Sequence, residues 1–272
     1  MSGNLEALAN MEYPGRFMII GRDASGEHNV IVYGITGRSP PSQARRFVED
    51  KVLRVIRTEV TDKEQLEKGS PVLLIYPAIV AAGDAIVVSN GAQTNIVHTT
   101  IKNRYDPAPV NSKPTANTLL VAAFAEPSLV YDAKLGWIDL ATFEPDSPNN
   151  TPRISGCVLK DNAALAIIRS EDGKRTASYF DIHPINGKGK LIATYAGQNA
   201  NPLPSFTGDP LDVSLEADNP RRTAQIVYEA LAPKDTTDPR KDFRVGVVVV
   251  YSNINTLERE VAIMNRHGPV AR

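Results

Sequence analysis

The chain has 272 residues, of which 42% are apolar and 22% are charged, and its net charge is −1. This balance is typical of a folded globular protein, and the lack of a basic excess argues against a nucleic-acid partner. Because Cys157 is the one cysteine, no intrachain disulfide can form, which indicates a reducing compartment.

The sequence contains no evident targeting or membrane segment. Residues 1–15 lack the basic start and apolar core of a secretory signal. The longest apolar runs, such as residues 245–251, are too short to cross a bilayer. We therefore predict a cytoplasmic protein without a membrane partner, with residues 1–272 in a single domain.

The first half of the chain predicts two β-hairpins separated by a connection and a short helix. β-branched and aromatic residues mark the strands, and glycine-containing turns separate them. In chain order the segments are a strand over 16–23, a strand over 29–37, a proline-stiffened basic connection over 38–47, a segment over 51–60 that favours a strand but allows a helix, a short helix over 62–69 and a hairpin over 71–91. Gly69 is predicted to end the helix, because glycine is favoured at helix C-termini.

The second half alternates helical and strand patterns. In chain order it predicts a buried helix over 114–127, three strands in meander order over 163–170, 175–183 and 189–197, an irregular loop over 201–213, a helix over 220–233 and a buried strand over 243–253. Pro220 stands near the start of the second helix, where proline is favoured. Antiparallel hairpins with helices between them predict an α+β fold, in which helices cover two sheets.

Motifs for metals and common cofactors are missing from the sequence. The four histidines, at positions 28, 98, 183 and 267, do not have the spacing of metal ligands. The chain also has no phosphate-binding loop, dinucleotide fingerprint or nucleophile elbow. We therefore expect neither a metal nor a cofactor.

Four polar segments lie beside predicted strands or between ordered elements. Taken singly, each has an ordinary structural explanation, such as a turn, a surface arginine or a core tyrosine. Their polar residues are Tyr33, Arg38, Ser39 and Arg45; Ser89 to Asn95; Asp146, Asn150, Thr151 and Arg153; and Tyr195 with Asn199. A functional hypothesis therefore rests on their combination in one chain.

The segments GRD…YGITGRSPPSQAR, VVSNGAQTN and PDSPNNTPRISG, in this order, resemble the archaeal-type IMP cyclohydrolase family. The most specific parts are NTPRI at residues 150–154 and SNG-x-x-T at residues 89–94, and the resemblance covers residues 13–206. It implies a four-layer αββα sandwich like that of the N-terminal-nucleophile hydrolases, with two antiparallel sheets between helix layers. Residues 218–272 are then a C-terminal extension of the same domain.

The resemblance also implies a reaction. The carboxamide nitrogen of 5-formamidoimidazole-4-carboxamide ribotide attacks the formyl carbon of the same molecule, giving inosine 5′-monophosphate and water without a cofactor. The implied partner is a small-molecule purine ribonucleotide, and the sequence leaves open whether the chain forms a homo-oligomer. Residues 76–80 are more apolar than in archaeal members, which keeps a non-catalytic purine-nucleotide binder or sensor as the alternative.

The chemistry of ring closure suggests roles for the polar residues. Arginine suits a phosphate clamp because its planar fork bonds two oxygens, an aromatic face suits the base, and neutral donors suit the formyl oxygen. We predict catalytic roles for Tyr33, Asn90, Asp146 and Arg153, with Asp146 or Glu126 as the proton acceptor. We predict substrate binding by Arg22, Arg38, Arg45, Tyr76, Thr94, Asn150 and Thr151.

A third hypothesis is an amide hydrolase of the N-terminal-nucleophile type. That chemistry needs a Cys, Ser or Thr nucleophile at a processed N-terminus. Cys157 lies in the middle of the chain, and Ser2 would need only removal of the initiating methionine.

Overall fold

The computed structural model describes residues 5–268. It is an α+β structure with two large antiparallel sheets and a separate two-stranded hairpin. The strands are β1 (Arg16–Arg22), β2 (His28–Thr36), β3 (Arg45–Asp50), β4 (Val55–Val60), β5 (Pro77–Ala82), β6 (Ala85–Ser89), β7 (Leu129–Asp132), β8 (Gly136–Asp139), β9 (Arg153–Val158), β10 (Ala163–Glu171), β11 (Lys174–Ile182), β12 (Lys188–Ala193), β13 (Leu211–Ser214), β14 (Arg244–Asn253) and β15 (Arg259–Asn265). The α-helices are α1 (Glu6–Ala9), α2 (Pro40–Gln43), α3 (Lys63–Lys68), α4 (Pro71–Leu74), α5 (Thr94–Thr100), α6 (Ala116–Ala123) and α7 (Pro220–Ala230).

The six-stranded sheet has the order β13-β12-β1-β2-β14-β15, and the seven-stranded sheet has the order β11-β10-β9-β6-β5-β4-β3. The predicted hairpins β1–β2 and β5–β6 are both present and antiparallel. The ambiguous segment over 51–60 forms a strand from Val55, which pairs with Asp50 of β3. The α+β class predicted from the sequence is therefore confirmed.

The two large sheets pack against each other through one apolar cluster. Gly156 on β9 marks a close approach, because a Cβ atom there would lie 2.5 Å from the Cδ1 atom of Ile20 on β1. A side chain at this position would force the sheets apart, so glycine is required by packing. On the other side of the seven-stranded sheet, α5 and α6 enclose a second apolar cluster. α7 packs on β14 and β15 of the six-stranded sheet.

Local signals set the helix ends as predicted. The side chain of Asp62 accepts a hydrogen bond from the Glu64 amide at the start of α3, and Gly69 follows its last residue. Asn219 accepts from the Arg222 amide at the start of α7, with Pro220 as the first helical residue. Such caps satisfy backbone donors that have no partner inside the helix.

The strands differ from the sequence prediction in several places. β7, β8, β9 and β15 were not predicted, and β13 begins inside the predicted loop over 201–213. The three strands predicted as a meander separate after β11, because β12 pairs with β1 in the other sheet. The predicted connection over 38–47 contains the first residues of β3 instead of remaining a loop. β-branched patterning identifies a strand but not its partner, since pairing depends on burial in the assembled sheet.

The C-terminal part of the described chain is built into the six-stranded sheet. β14 lies between β2 and β15 and pairs with β2 along nearly its whole length. Its residues are almost all buried, as the run of valines predicts. No helix within residues 5–268 is both long enough and apolar enough to cross a membrane.

Candidate active site

Most of the predicted site residues lie at one end of the two packed sheets. Arg16, Arg45 and Arg153 are the first residues of β1, β3 and β9. In antiparallel sheets these starts adjoin the ends of neighbouring strands, where Asn90 follows β6 and Tyr195 follows shortly after β12. We call this the motif end, because it carries the SNG-x-x-T and NTPRI segments.

Arg153 is the most unusual side chain at the motif end. Its side chain is 1% exposed. The Nη1 atom donates to Gln93 Oε1 at 3.1 Å and lies 3.7 Å from Glu144 Oε1. Its Nε and Nη2 atoms are buried and have no hydrogen-bond partner within residues 5–268. Burial lowers the pKa of the guanidinium, while the charge of Glu144 opposes this shift. Because buried donors are nearly always paired, this pair of nitrogens indicates a place for an anionic or carbonyl group of a ligand.

Glu144 connects Arg153 with a second arginine. Its Oε1 atom accepts from Arg16 Nη2 at 2.5 Å, and the two side chains are 3% and 12% exposed. Burial opposes the charge of Arg16, but Glu144 and nearby phenol groups outweigh burial and raise its pKa well above its ordinary value. The carboxylate therefore holds two cations in place from opposite sheets.

Two buried tyrosines join the sheets beside Arg16. The hydroxyls of Tyr33 on β2 and Tyr76 before β5 lie 2.9 Å apart, and both side chains are buried. Burial, and then the neighbouring Tyr76, raises the pKa of Tyr33 well above its ordinary value. Tyr33 therefore stays protonated near neutral pH and keeps a hydroxyl able to donate.

The loop before β9 carries a chain of three hydrogen-bonded side chains. Asp146 accepts from the backbone amide of Thr151 at 2.6 Å and from the Thr151 hydroxyl. The same hydroxyl lies 2.5 Å from the Tyr195 hydroxyl. Burial and then the charge of Glu144 raise the pKa of Asp146, although both bonds from Thr151 lower it. A carboxylate with a raised pKa is a better proton acceptor near neutral pH.

Asn90 and Thr94 make their hydrogen bonds within the protein. Asn90 donates to the Pro152 carbonyl at 2.9 Å and accepts from Gln93 Nε2 at 2.7 Å and from the Ile154 amide at 2.9 Å. The Thr94 hydroxyl donates to the Gly91 carbonyl at 2.9 Å. The contacts of Asn90 hold the backbone on both sides of Arg153 at the start of β9, whereas Thr94 bonds within its own segment.

Gly91 lies in the same SNG-x-x-T segment as Asn90 and Thr94. A Cβ atom there would lie 2.5 Å from Gln93 Oε1 and 2.8 Å from Arg153 Nη1. A larger residue would push the guanidinium away, which gives the glycine of SNG-x-x-T a physical reason.

The remaining predicted residues occupy different places. Arg45 is 2% exposed at the motif end, and its Nε donates to the Ser42 carbonyl at 2.9 Å. Arg38 lies at the rim, with its guanidinium carbon 5.2 Å from the Tyr13 ring centre and Nη1 bonded to Asn199 Oδ1 at 3.1 Å. Asn150 has a positive φ of 45° in the loop beside Asp146.

Arg22 is not part of the motif end. It is the last residue of β1, and its Nη2 atom bonds Asn29 Oδ1 at 3.1 Å and the Lys160 carbonyl at 3.0 Å at the other end of the sheets. Glu126, the other predicted proton acceptor, is exposed beyond α6. The structure therefore does not bring either residue to Arg153.

Sequence reasoning missed several members of the cluster. Arg16 and Glu144 were not predicted, although Glu144 lies only two residues before Asp146 in the quoted loop. Tyr13 stacks on Tyr195 with ring centres 5.8 Å apart. Charged residues next to otherwise apolar strands could have pointed to Arg16 and Glu144. Charged side chains are rarely buried without a partner, so two such residues are candidates for a buried pair.

Other chemistries find little support in the described part of the chain. Cys157 is fully buried, and burial raises the pKa of its thiol to about 12, so the reactive thiolate is scarce. Ser2 lies outside the described residues. Among residues 5–268 no group of three or more His, Cys, Asp or Glu side chains could hold a metal ion.

The structure is therefore an α+β protein with two packed antiparallel sheets and a buried cluster of arginines, carboxylates and phenols at one end. A family model described as "IMP cyclohydrolase-like protein" matches residues 13–120 and 131–253, and the chain belongs to this family. The match continues beyond residue 206 and includes β14.

Curated relatives agree with the family. Proteins named IMP cyclohydrolase from two strains of the archaeon Methanococcus maripaludis are each 24% identical over 161 residues, 59% of this chain and 65% of the relative. The aligned region thus spans less than two thirds of those relatives' own length.

Proposed function

We propose that this chain is an IMP cyclohydrolase that closes the purine ring of 5-formamidoimidazole-4-carboxamide ribotide to give inosine 5′-monophosphate and water. The observation that carries the proposal is Arg153, a buried arginine with two unpaired nitrogens in the NTPRI segment. The names of the curated relatives support the same reaction.

In the proposed reaction the carboxamide nitrogen forms a bond to the formyl carbon, and the electron pair of the C=O bond moves to oxygen. A proton leaves the attacking nitrogen, and the oxygen gains one. The resulting hydroxyl then leaves the former formyl carbon as water, together with a proton from the formamido nitrogen. A C=N bond forms between that carbon and that nitrogen. Both reacting groups belong to one molecule, so holding them in the closing geometry removes much of the barrier, about 7–11 kcal/mol in favourable cases.

The motif end contains groups that can donate and accept the protons that move in this reaction. The unpaired nitrogens of Arg153 and the hydroxyl of Tyr33 are our proposed donors to the formyl oxygen as it gains charge. Asp146 is the proposed proton acceptor, with the Thr151 hydroxyl between it and Tyr195. A donor aimed at a developing oxyanion contributes about 2.7–4 kcal/mol to the transition state.

Two further arginines, one buried and one at the rim, supply the proposed phosphate clamp. Arg45 is buried behind the start of β3, and Arg38 is partly exposed beside Tyr13. The site contains three buried or nearly buried arginines and the two carboxylates Glu144 and Asp146. Its net charge is therefore positive, which a phosphate group would complement.

The apolar segment that favoured a non-catalytic binder has a structural explanation. Tyr76, Ala78, Ile79 and Val80 are buried, and residues from Pro77 onward form β5 inside the seven-stranded sheet. Their apolar character follows from burial in the sheet and needs no loss of catalysis. We therefore favour the enzyme over the binder.

The fold fits the same family. We propose that the helix and sheet layers form an αββα sandwich of the N-terminal-nucleophile hydrolase type in one domain. Support comes from α5 and α6 packed on one sheet, α7 packed on the other, and β14 buried within the six-stranded sheet.

The direct test is turnover of the formamido ribotide by the purified chain, followed by the appearance of the purine absorbance. We expect formation of inosine 5′-monophosphate well above the uncatalysed rate, without added metal and in the presence of a chelator. Tight binding of inosine 5′-monophosphate with no turnover would support the sensor instead. No binding of either nucleotide would exclude both functions.

The pH dependence tests Asp146 as the proton acceptor. Its folded pKa is raised, so the carboxylate fraction, and with it kcat/KM, should rise with pH through a pKa above the ordinary value for aspartate. The Thr151 hydroxyl lowers that pKa, so we expect Thr151→Val to move the acidic limb to higher pH. Thr223→Val, whose hydroxyl bonds Tyr251 far from Asp146, is the matched control. A limb that stays in place in Thr151→Val would exclude Asp146 as the titrating group.

A further inference from the structure

A cleft opens between the sheets at the end opposite the motif end. Its volume is about 1080 Å³, and its walls come from the ends of β3, β5 and β14 and the starts of β4, β6 and β15. This is comparable with the larger small-molecule sites of proteins, which span roughly 300–1,000 Å³. None of the residues in the proposed cyclohydrolase site lines it.

The floor of this cleft is apolar. It contains Ile56, Ile79 and Ile86 from the seven-stranded sheet and Val250 and Val261 from the six-stranded sheet. Ligand sites typically combine such an apolar lining with a few polar groups that fix orientation. The floor therefore suits the aromatic or aliphatic body of a small molecule.

Arg54 and Arg259 both line this cleft, and neither forms an ion pair with a carboxylate among residues 5–268. Arg259 donates from Nη2 to the Gly83 carbonyl at 2.8 Å, and its Nε atom is buried with no partner in residues 5–268. Burial, and then the charge of Arg54, lowers the pKa of Arg259, which agrees with their proximity.

The cleft is lined by four acids and four bases, and none of the acids forms an ion pair with Arg54 or Arg259 among the described residues; the acids are Glu49, Asp84, Glu258 and Glu260, and the bases are Lys51, Arg54, Lys113 and Arg259. Asp84 accepts from the Tyr105 hydroxyl at 2.9 Å, which directs it toward the helices. Glu258 and Glu260 are exposed to solvent.

We propose that this cleft binds a small organic anion, with its phosphate, sulfonate or carboxylate group between Arg54 and Arg259 and its apolar body on the floor of isoleucines and valines. Arginine forks bond such groups through two parallel hydrogen bonds. The proposal is independent of the ring-closing activity.

Fluorescence titration of the full chain with 8-anilinonaphthalene-1-sulfonate, an aromatic sulfonate, tests it. We expect saturable binding that phenyl phosphate reverses and inosine 5′-monophosphate does not. Arg54→Gly should weaken it about tenfold, because a charge-assisted bond is lost. Arg54 has a positive φ of 54°, which glycine accepts readily, so this variant keeps its fold. Arg259→Gln should act in the same direction.

Two variants serve as controls. Arg240→Gln removes an arginine that is 89% exposed on another surface, and Trp137→Ser removes an exposed aromatic ring on β8 that could attract the dye. Both should bind the dye like the unmodified chain, and Arg54→Gly should retain full turnover. Unchanged dye affinity in Arg54→Gly and Arg259→Gln, loss of binding in Trp137→Ser, or displacement by inosine 5′-monophosphate would each overturn the proposal.

Discussion

Arg153→Met is expected to lower kcat/KM for ring closure by about 10²–10³-fold, the effect of removing one donor to a developing oxyanion. The same substitution should leave the free energy of unfolding unchanged or raise it. The guanidinium is buried with two unpaired nitrogens, and an apolar side chain of similar length removes that cost. Steady-state kinetics and urea unfolding measure the two effects.

Opposite changes in activity and stability would identify Arg153 as a functional residue. Arg169→Met is the matched control, because Arg169 lies on the neighbouring strand β10 and pairs with Glu171 at 2.6 Å on the outside of the cluster. It should keep near-normal kinetics. If Arg153→Met destabilises the chain strongly and keeps full turnover per folded molecule, Arg153 is a structural residue and the proposed mechanism fails.

Glu144→Gln is expected to lower the free energy of unfolding by about 3–5 kcal/mol, the usual effect of removing one partner from a buried ion pair. Glu144 is 3% exposed and bonds Arg16 at 2.5 Å, with Arg153 at 3.7 Å. Glutamine keeps the shape but leaves both cations without their counter-charge. Urea unfolding at neutral pH measures the loss.

A double variant isolates the electrostatic cause. Arg16→Met together with Glu144→Gln should recover most of the lost stability, since the principal uncompensated cation is then also removed. Glu59→Gln, whose partners Arg46 and Arg57 are more exposed, should change stability by less than about 1 kcal/mol. A small effect of Glu144→Gln, equal to that of Glu59→Gln, would show that the pair does not hold the motif end together.

The two proposed sites lie at opposite ends of the two packed sheets. At the motif end, three arginines lie near two carboxylates and three phenols, and most of these polar groups are hydrogen-bonded within the protein. At the opposite end, the cleft has an apolar floor and the two arginines Arg54 and Arg259. The different balance of polar and apolar groups is the reason to expect different ligands.

Much of the local structure, and the family, could be predicted from the sequence alone. Runs of β-branched and apolar residues identified β1, β2, β5 and β6, while Asp62 with Gly69 marked the ends of α3. These signals act between residues close in the chain, so no tertiary information is needed. The order of three motifs was likewise enough to indicate the IMP cyclohydrolase-like family, and Arg153 within it.

Which charges meet depends on how the sheets assemble. Arg16 and Glu144 are 128 residues apart and pair because β1 and the loop before β9 come from opposite sheets. Arg22 was predicted to bind the substrate, yet it lies at the other end of β1 from Arg16. The amide of Asn90 bonds the Pro152 carbonyl and the Ile154 amide on either side of Arg153, and its catalytic role stays a prediction. Sheet pairing and burial fix these outcomes, and both depend on contacts between segments far apart in sequence.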